Sequence, residues 1–366
     1  MSRVSQSACL ALVGFLGATF GGLASGQEQP GPPLAKNQIR VVTNEIVIPV
    51  TVTDATGEFV RDLEQKDFHV TDDGTERTFD HWGLGGDPLA VALVIDTSSR
   101  LHALAPAIHS LGSIFTETVM ALDGEAAVIT YDSTIDVRQR FTTDHEAIEK
   151  AIAQTKFEAQ EMNLYDGMAE AVELLKAEPT TRRRIMLIIN VSEDTGSKAN
   201  LRQVVHDAGD ANITIYAVGP SSIAADYRGN VTDPPPIKLP KLPPIVAGSC
   251  TDPSGHGCED DLSRPVFWLL ERGVSQIRSH QLTVAAAATG GIRYRAFKDS
   301  AVRNALDRIG SELHAQYILD YRPNGTRSVG YHTIDVTLSR PGLSVRARPG
   351  YYLAPGPDET KAKGRV

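Results

Sequence analysis

The residues of this 366-residue sequence that could do chemistry follow an apolar run at positions 89–95. Asp96 ends that run and Ser98 lies two positions further on, so one loop carries a carboxylate and a hydroxyl. Such a run predicts a β-strand buried on both faces, and ligands of open α/β sheets bind outside the carboxyl ends of these strands. Because both oxygens suit Mg²⁺ or Ca²⁺, Asp96 and Ser98 are candidate metal ligands. Alternatively, both residues cap the turn from the strand into a helix.

Sequence motifs of catalysis are absent. None of the ten histidines stands in an HExxH spacing. The sequence contains no Gly-x-Ser-x-Gly elbow, P-loop or Gly-x-Gly-x-x-Gly fingerprint. We therefore expect no catalytic residues and a protein that is not an enzyme.

Apolar segments alternate with segments of helical period through the middle of the chain. Alternating strands and helices are typical of a parallel sheet covered by helices on both faces. We therefore predict an open, doubly wound, mostly parallel α/β sheet. The predicted strands are 89–95, 125–131, 184–191, 213–218 and 292–297, and the predicted helices are 101–121, 143–154, 164–177, 200–211, 265–280 and 299–313.

Strand-like segments rich in Val, Ile and Thr flank this α/β unit on both sides, at residues 38–86 and 324–353. Each set has about three strands, which is marginal for an independent core. We predict that the two sets pair into one flanking antiparallel domain that resembles a β-sandwich.

The first 26 residues have the features of a secretory signal. Arg3 gives a basic start, and an apolar run follows from Ala8 to Ala18. That run is too short to span a bilayer comfortably, which disfavours the alternative of a retained membrane anchor. We expect a cleaved signal peptide, no later transmembrane segment, and an exported protein that is periplasmic or secreted. Residues 27–37 form a Pro-rich linker, and residues 354–366 are predicted to be a disordered tail.

Residues 220–264 interrupt the α/β pattern with a Pro-rich insertion. It contains Cys250 and Cys258, the two cysteines that remain after signal cleavage, and they fit one disulfide in an oxidising compartment. A metal site that includes His256 is the alternative, but these ligands are too few for a closed zinc site. The insertion is either a recognition loop or a surface excursion that tolerates change.

The sequence between about Pro88 and Tyr321 resembles the von Willebrand factor type A family, and we place that domain, with its insertion, at residues 88–323. More narrowly, it is similar to the VWFA-related secreted proteins abundant in acidobacteria. The matching stretches are Val91–Ser99, Leu164–Asp166, Arg184–Ser197, Ile213–Gly219, Ala288–Gly291 and Ser311–Pro323, with flanking matches at Phe68–Gly74 and Val345–Tyr352.

The resemblance implies a metal-ion-dependent adhesion site, built from Asp-x-Ser-x-Ser, a Thr on a second loop and an Asp on a third. Asp96 and Ser98 match this pattern. The three remaining positions are Arg100, Met162 and Val191. The site is therefore predicted to be degenerate, with no cofactor or only weakly bound Mg²⁺ or Ca²⁺.

Two charged groups could compensate for the lost ligands. Arg100 could replace the ion by neutralising Asp96 through charge-assisted hydrogen bonds. Glu193 or Asp194 could supply a substitute carboxylate, or the two could form the solvated acidic start of a helix.

The family resemblance implies binding of a protein or an extracellular matrix-like ligand. A formal net charge of −9 disfavours nucleic acid as a partner. We therefore expect an exported protein-binding or adhesion-type module. The alternatives are a metal-dependent adhesin that uses Asp96 and Ser98, and a structural component of a cell-envelope assembly.

Overall fold

The computed structural model describes residues 45–219, 281–296, 299–323 and 330–353. The predicted signal peptide, linker and tail lie outside these residues, as do the insertion with Cys250 and Cys258 and the helix predicted at 265–280.

The strands among the described residues fall into three sheets. They are, in chain order, β1 (Ile46–Thr53), β2 (Phe68–Asp72), β3 (Thr75–Arg77), β4 (His81–Leu84), β5 (Leu89–Asp96), β6 (Glu125–Tyr131), β7 (Ile135–Thr142), β8 (Arg183–Ile189), β9 (Ile213–Gly219), β10 (Arg293–Arg295), β11 (Tyr317–Tyr321), β12 (Gly330–Leu338), β13 (Ser344–Arg346) and β14 (Gly350–Leu353).

The helices pack on both faces of the largest sheet, and none within the described ranges is long and apolar enough to span a bilayer. They are α1 (Ala105–His109), α2 (Leu111–Ile114), α3 (His145–Ala153), α4 (Leu164–Ala177), α5 (Leu201–Asp210), α6 (Gln281–Ala288) and α7 (Asp299–Leu313), with short 3-10 turns at Gln65–Asp67 and Ser99–Leu104 and a π-helical turn at Phe115–Met120.

The six-stranded sheet has the order β10-β9-β8-β5-β6-β7, and only β7 runs antiparallel to its neighbour. All eight residues of β5 are buried. Leu93 faces one apolar core and Val94 the other, because successive side chains of a strand point to opposite faces. This arrangement confirms the predicted open α/β sheet and places Asp96 at its carboxyl edge.

The flanking strands form two four-stranded antiparallel sheets, β13-β1-β11-β4 and β14-β12-β2-β3. The N-terminal β1 pairs with the C-terminal β11 and β13, and β2 pairs with β12. One apolar core lies between the sheets and contains Ile48, Phe68, Leu319 and Ile334. The predicted pairing of N-terminal and C-terminal strands is therefore confirmed.

Three elements differ from the sequence prediction. The stretch Tyr317–Tyr321, predicted to end the α/β domain, forms β11 in the sandwich, where its alternating side chains complete the apolar core. The edge strand β7 was not predicted, although its alternation of apolar with polar residues is the pattern of a half-exposed strand. The helix predicted at 101–121 is broken into short helical segments.

A buried carboxylate joins the sandwich to the α/β unit. Glu312, near the end of α7, is 1% exposed. It accepts hydrogen bonds from Tyr216 of β9 at 2.6 Å and from Thr51 of β1 at 3.3 Å, and it forms an ion pair with Arg346 of β13. Burial alone would lower the pKa of Arg346, but the charge of Glu312 raises it above the usual arginine value. Four elements therefore meet at one charged group.

We expect Arg346→Met to lower the free energy of unfolding by about 3–5 kcal/mol, because it leaves the buried Glu312 carboxylate without a cation. Urea denaturation of the parent and the variant measures this loss. Arg340→Met is the matched control, since Arg340 pairs with Asp62 at the surface and such pairs contribute less than about 1 kcal/mol. Equal losses in the two variants would contradict the role assigned to Glu312.

Candidate functional site

Asp96 lies at the carboxyl edge of the sheet with no exposed surface. Its Oδ1 atom accepts the backbone N–H of Ser98 at 2.7 Å. Its Oδ2 atom accepts the backbone N–H groups of Val191 at 3.0 Å and Ser192 at 2.9 Å. Hydrogen bonds from N–H groups stabilise a buried carboxylate without any cation. The loop after β8 therefore closes directly onto the side chain that the sequence marks as the first metal ligand.

Asn190 fixes the position of that loop. Its side-chain amide donates to the Tyr131 hydroxyl at 2.6 Å and to the Ser192 carbonyl at 2.8 Å, and it lies 3.5 Å from Oδ2 of Asp96. Burial and the charge of Asp96 raise the pKa of Tyr131 well above its usual value, so this hydroxyl stays protonated. The sequence analysis did not identify Asn190 or Tyr131, although a polar residue at the end of an apolar strand was an available signal.

The backbone of β9 leaves room for Asn190 only because Gly219 has no side chain. A Cβ atom at Gly219 would lie 1.7 Å from the carbonyl oxygen of Asn190, which no packing tolerates. The residue that ends β9 therefore sets how closely the Asn190 loop can approach the neighbouring strand.

Ser98, the second predicted ligand, is also engaged within the protein. It is 3% exposed, and its Oγ atom accepts the hydroxyl of Ser192 at 2.8 Å. Asp96 and Ser98 thus lie close together as predicted, and both accept hydrogen bonds from Ser192 of the third loop.

Hydrogen bonds join the second loop to the third. Met162, at the position of the family threonine, is 2% exposed and exchanges hydrogen bonds with Thr195. Asp166 accepts the backbone N–H groups of Lys198 and Ala199 at 3.1 and 2.7 Å. These bonds join the start of α4 to the segment after β8.

Asp194, the predicted substitute carboxylate, belongs to the loop after β8 and contacts the N-terminus of α4. Its Oδ1 atom accepts the backbone N–H of Tyr165 at 3.3 Å and the hydroxyl of Ser197, and its Oδ2 atom accepts the backbone N–H of Ser197 at 3.4 Å. A carboxylate at a helix N-terminus satisfies free N–H groups and favours the helix dipole. These contacts favour a helix-capping role over ligation.

Arg100 does not neutralise Asp96, as the sequence analysis suggested it could. The residue is exposed, and it forms no ion pair with Asp96 within the described part of the chain. Backbone N–H groups already satisfy Asp96, so the guanidinium gains nothing by leaving water. The suggestion that Arg100 neutralises Asp96 is therefore wrong.

These contacts test whether the loops fit a divalent cation. Both oxygens of Asp96 face the hydrogens of backbone N–H groups, and a cation there would meet the positive ends of those dipoles. Neither Met162 nor Val191 offers a side-chain oxygen. Mg²⁺ and Ca²⁺ need several oxygen ligands, usually with carboxylates among them. The residues present do not fit either ion.

A cleft of about 500 Å³ opens above the three loops. Its lining includes Ser99, Arg100, Gln160, Glu193 and Thr195. Arg100 and Glu193 are exposed, and neither forms an ion pair with another residue of the described segments. The exposed charges Arg100 and Glu193 therefore lie on a set of loops that internal hydrogen bonds hold together.

We expect Asp96→Ala to lower the free energy of unfolding by about 3 kcal/mol in the presence of EDTA, because three backbone N–H groups lose their acceptor. Chemical denaturation with excess EDTA measures the loss. In a true metal site, removing the carboxylate without the ion would cost little. Asp132→Ala is the control: this partly exposed residue follows β6 and accepts the Thr134 N–H at 2.7 Å, so its loss should be below about 1 kcal/mol.

Comparison with known proteins identifies the central unit. Residues 91–192 match the family model of the von Willebrand factor type A domain. No curated protein matches the sequence significantly.

Solved structures give partial likenesses. The VWA domain of SpRpn10 is 16% identical, with coverage of 37% of this chain and 77% of that one and a TM-score of 0.31. Proximal thread matrix protein 1 from the mussel byssus is 8% identical, with coverage of 63% and 48% and a TM-score of 0.42. An aerotolerance-related membrane protein from Bacteroides fragilis is 11% identical, with coverage of 62% and 98% and a TM-score of 0.36.

Each of these TM-scores lies below 0.5, so the superpositions say nothing about function. The family match runs from within β5 to the start of the loop after β8, and it includes both predicted ligands, Asp96 and Ser98. Residues 91–192 of this chain therefore match the von Willebrand factor type A domain family, and the central unit has a von Willebrand factor A-like α/β fold.

Proposed function

We propose that this protein is an exported, non-catalytic binding module that holds a protein partner at the carboxyl edge of its six-stranded sheet without a divalent cation. Von Willebrand factor type A domains generally mediate protein–protein interactions. The single observation that carries the metal independence is the Asp96 carboxylate, whose oxygens accept three backbone N–H groups. Export rests on the N-terminal sequence alone.

The internal bonding of the loops supports a binding role. Loops that are ordered before binding lose less conformational entropy when a partner docks. Here Asp96, Asn190 and Thr195 tie the loops to one another in the unbound chain. The same bonding argues against catalysis, because the Ser98 hydroxyl is buried and paired with Ser192 rather than with a histidine.

Two exposed charges supply a basis for specificity. Arg100 and Glu193 line the cleft, and each can meet an opposite charge on a partner. Arginine is also enriched among the residues that contribute most to protein interfaces. A protein surface with an acidic and a basic side chain at matching positions would fit this cleft.

The two alternative functions, a metal-dependent adhesin and a structural envelope component, would bind through different groups. A metal-dependent adhesin needs a cation at Asp96 and Ser98, whose oxygens are already bonded to protein donors. A structural envelope component would bind through the sandwich, so substitutions in the cleft would leave its binding unchanged.

We expect partner capture from native envelope extract to be the same in EDTA and in Mg²⁺. Mass spectrometry of proteins retained on the immobilised full chain gives the readout. Titration calorimetry with Mg²⁺, Mn²⁺ and Ca²⁺ should show no micromolar site that Asp96→Ala removes. A partner that is lost in EDTA and regained in Mg²⁺ would support the metal-dependent adhesin instead.

We expect Arg100→Glu to weaken capture of the same partner at least about ten-fold, since it reverses an exposed charge of the proposed surface. Arg202→Glu makes the same change on the exposed side of α5, outside the cleft lining, and should leave capture unaltered. Surface interferometry with the purified partner measures both variants. Equal affinities for the two variants would move the binding surface away from the cleft, as the structural alternative requires.

A further inference from the structure

A second group of metal-ligating side chains lies on the sandwich, outside the von Willebrand-type site. Glu45 immediately precedes β1, His81 begins β4 and Asp320 is in β11. One ligand atom from each of the three lies within 4.8 Å of the other two. The three residues are far apart in the sequence, so only strand pairing brings them together.

The register of the sheet fixes this group from the backbone. Asp320 is the partner of His81 in the β11–β4 pair. It is also the partner of Val47 in the β1–β11 pair, two residues after Glu45, so Glu45 and Val47 share a face. The Asp80 N–H also donates to the Asp320 carbonyl at 2.7 Å, which extends the β4 pairing. Three adjacent strands therefore present these side chains on one face.

Asp320 has unused capacity to bind a ligand. Its side chain is only 17% exposed. Its Oδ1 atom lies 2.9 Å from Nδ1 of His81, while its second oxygen has no hydrogen-bond partner in the described segments. A mostly buried carboxylate with one histidine partner is poorly compensated unless a cation completes it.

We propose that Glu45, His81 and Asp320 form a binding site for a divalent transition-metal ion, with Zn²⁺ as the best-fitting ion. Imidazole nitrogen and carboxylate oxygen are both zinc ligands, and a water completes the tetrahedron in sites with three protein ligands. Ligand atoms around tetrahedral zinc are roughly 3.4 Å apart, so side-chain rotations suffice to close the group around an ion. His81 and Glu45 are 73% and 40% exposed, which leaves a path for the ion.

The guanidinium of Arg322 competes for this site. It lies 3.4 Å from Oε1 of Glu45, so an arriving ion must displace it or share the carboxylate. Removal of Arg322 should therefore strengthen zinc binding, whereas removal of an ordinary surface charge should not.

The test uses the full chain without a polyhistidine tag, in a Cys9→Ser, Cys250→Ser, Cys258→Ser background that removes all three thiols. After EDTA treatment and desalting, Zn²⁺ alone is titrated by calorimetry and in competition with a coloured chelator. We expect one zinc site that His81→Ala and Asp320→Asn each weaken at least about ten-fold. Arg322→Gln should bind zinc about two- to five-fold more tightly.

His69→Ala is the matched control, because His69 is an exposed sandwich histidine beside a single carboxylate, Glu76. It should bind zinc as the parent does. Saturating Zn²⁺ should also raise the thermal midpoint by at least about 2 °C in the parent and in His69→Ala but not in His81→Ala. Equal zinc binding by the parent and His81→Ala would overturn the proposal, as would weaker binding by Arg322→Gln.

Discussion

A carboxylate that leaves water needs hydrogen-bond donors inside the protein, and this constraint applies at two places in the molecule. At the carboxyl edge of the sheet, Asp96 accepts backbone N–H groups of the loop after β8. At the junction between the α/β unit and the sandwich, Glu312 contacts the side chains of Tyr216, Thr51 and Arg346. In each place one charge determines how separate elements are held together. Removing it would leave several polar groups buried and unpaired.

The loops at the carboxyl edge are held in place by hydrogen bonds within the protein. A cation would draw three loops together by attracting their oxygens. Here the second and third loops are joined by Met162 and Thr195, and the first and third by Asp96 and Ser192. Because these bonds are internal, the proposed binding surface needs no ion to join its loops, and Arg100 and Glu193 are exposed on it.

The C-terminal strands of the sandwich connect it to the α/β unit. The Val-Arg-Ala-Arg segment at residues 345–348 supplies Arg346 to Glu312, and it supplies Arg348 to the Asn212 side chain at 2.9 Å and the Gly209 carbonyl at 3.2 Å. Both arginines therefore connect the sandwich to the α/β unit. Because β1 lies between β11 and β13, neither terminal set of strands can complete this core without the other.

Residue types and their order were enough to predict the α/β sheet, the pairing of the terminal strands and the lack of oxygen-bearing side chains at Met162 and Val191. Buried strands are continuous apolar runs, and a missing oxygen is visible in the residue type, as at Met162 and Val191. The sequence did not show that β7 joins the α/β sheet or that β11 joins the sandwich, because a short alternating segment does not reveal which sheet it joins. The folded structure was needed to show that backbone N–H groups, rather than Arg100, satisfy Asp96. It was also needed to show that Glu45, His81 and Asp320 lie together on one face. Every residue carries the same backbone N–H group, and contacts between distant strands depend on register, so neither can be read from residue types.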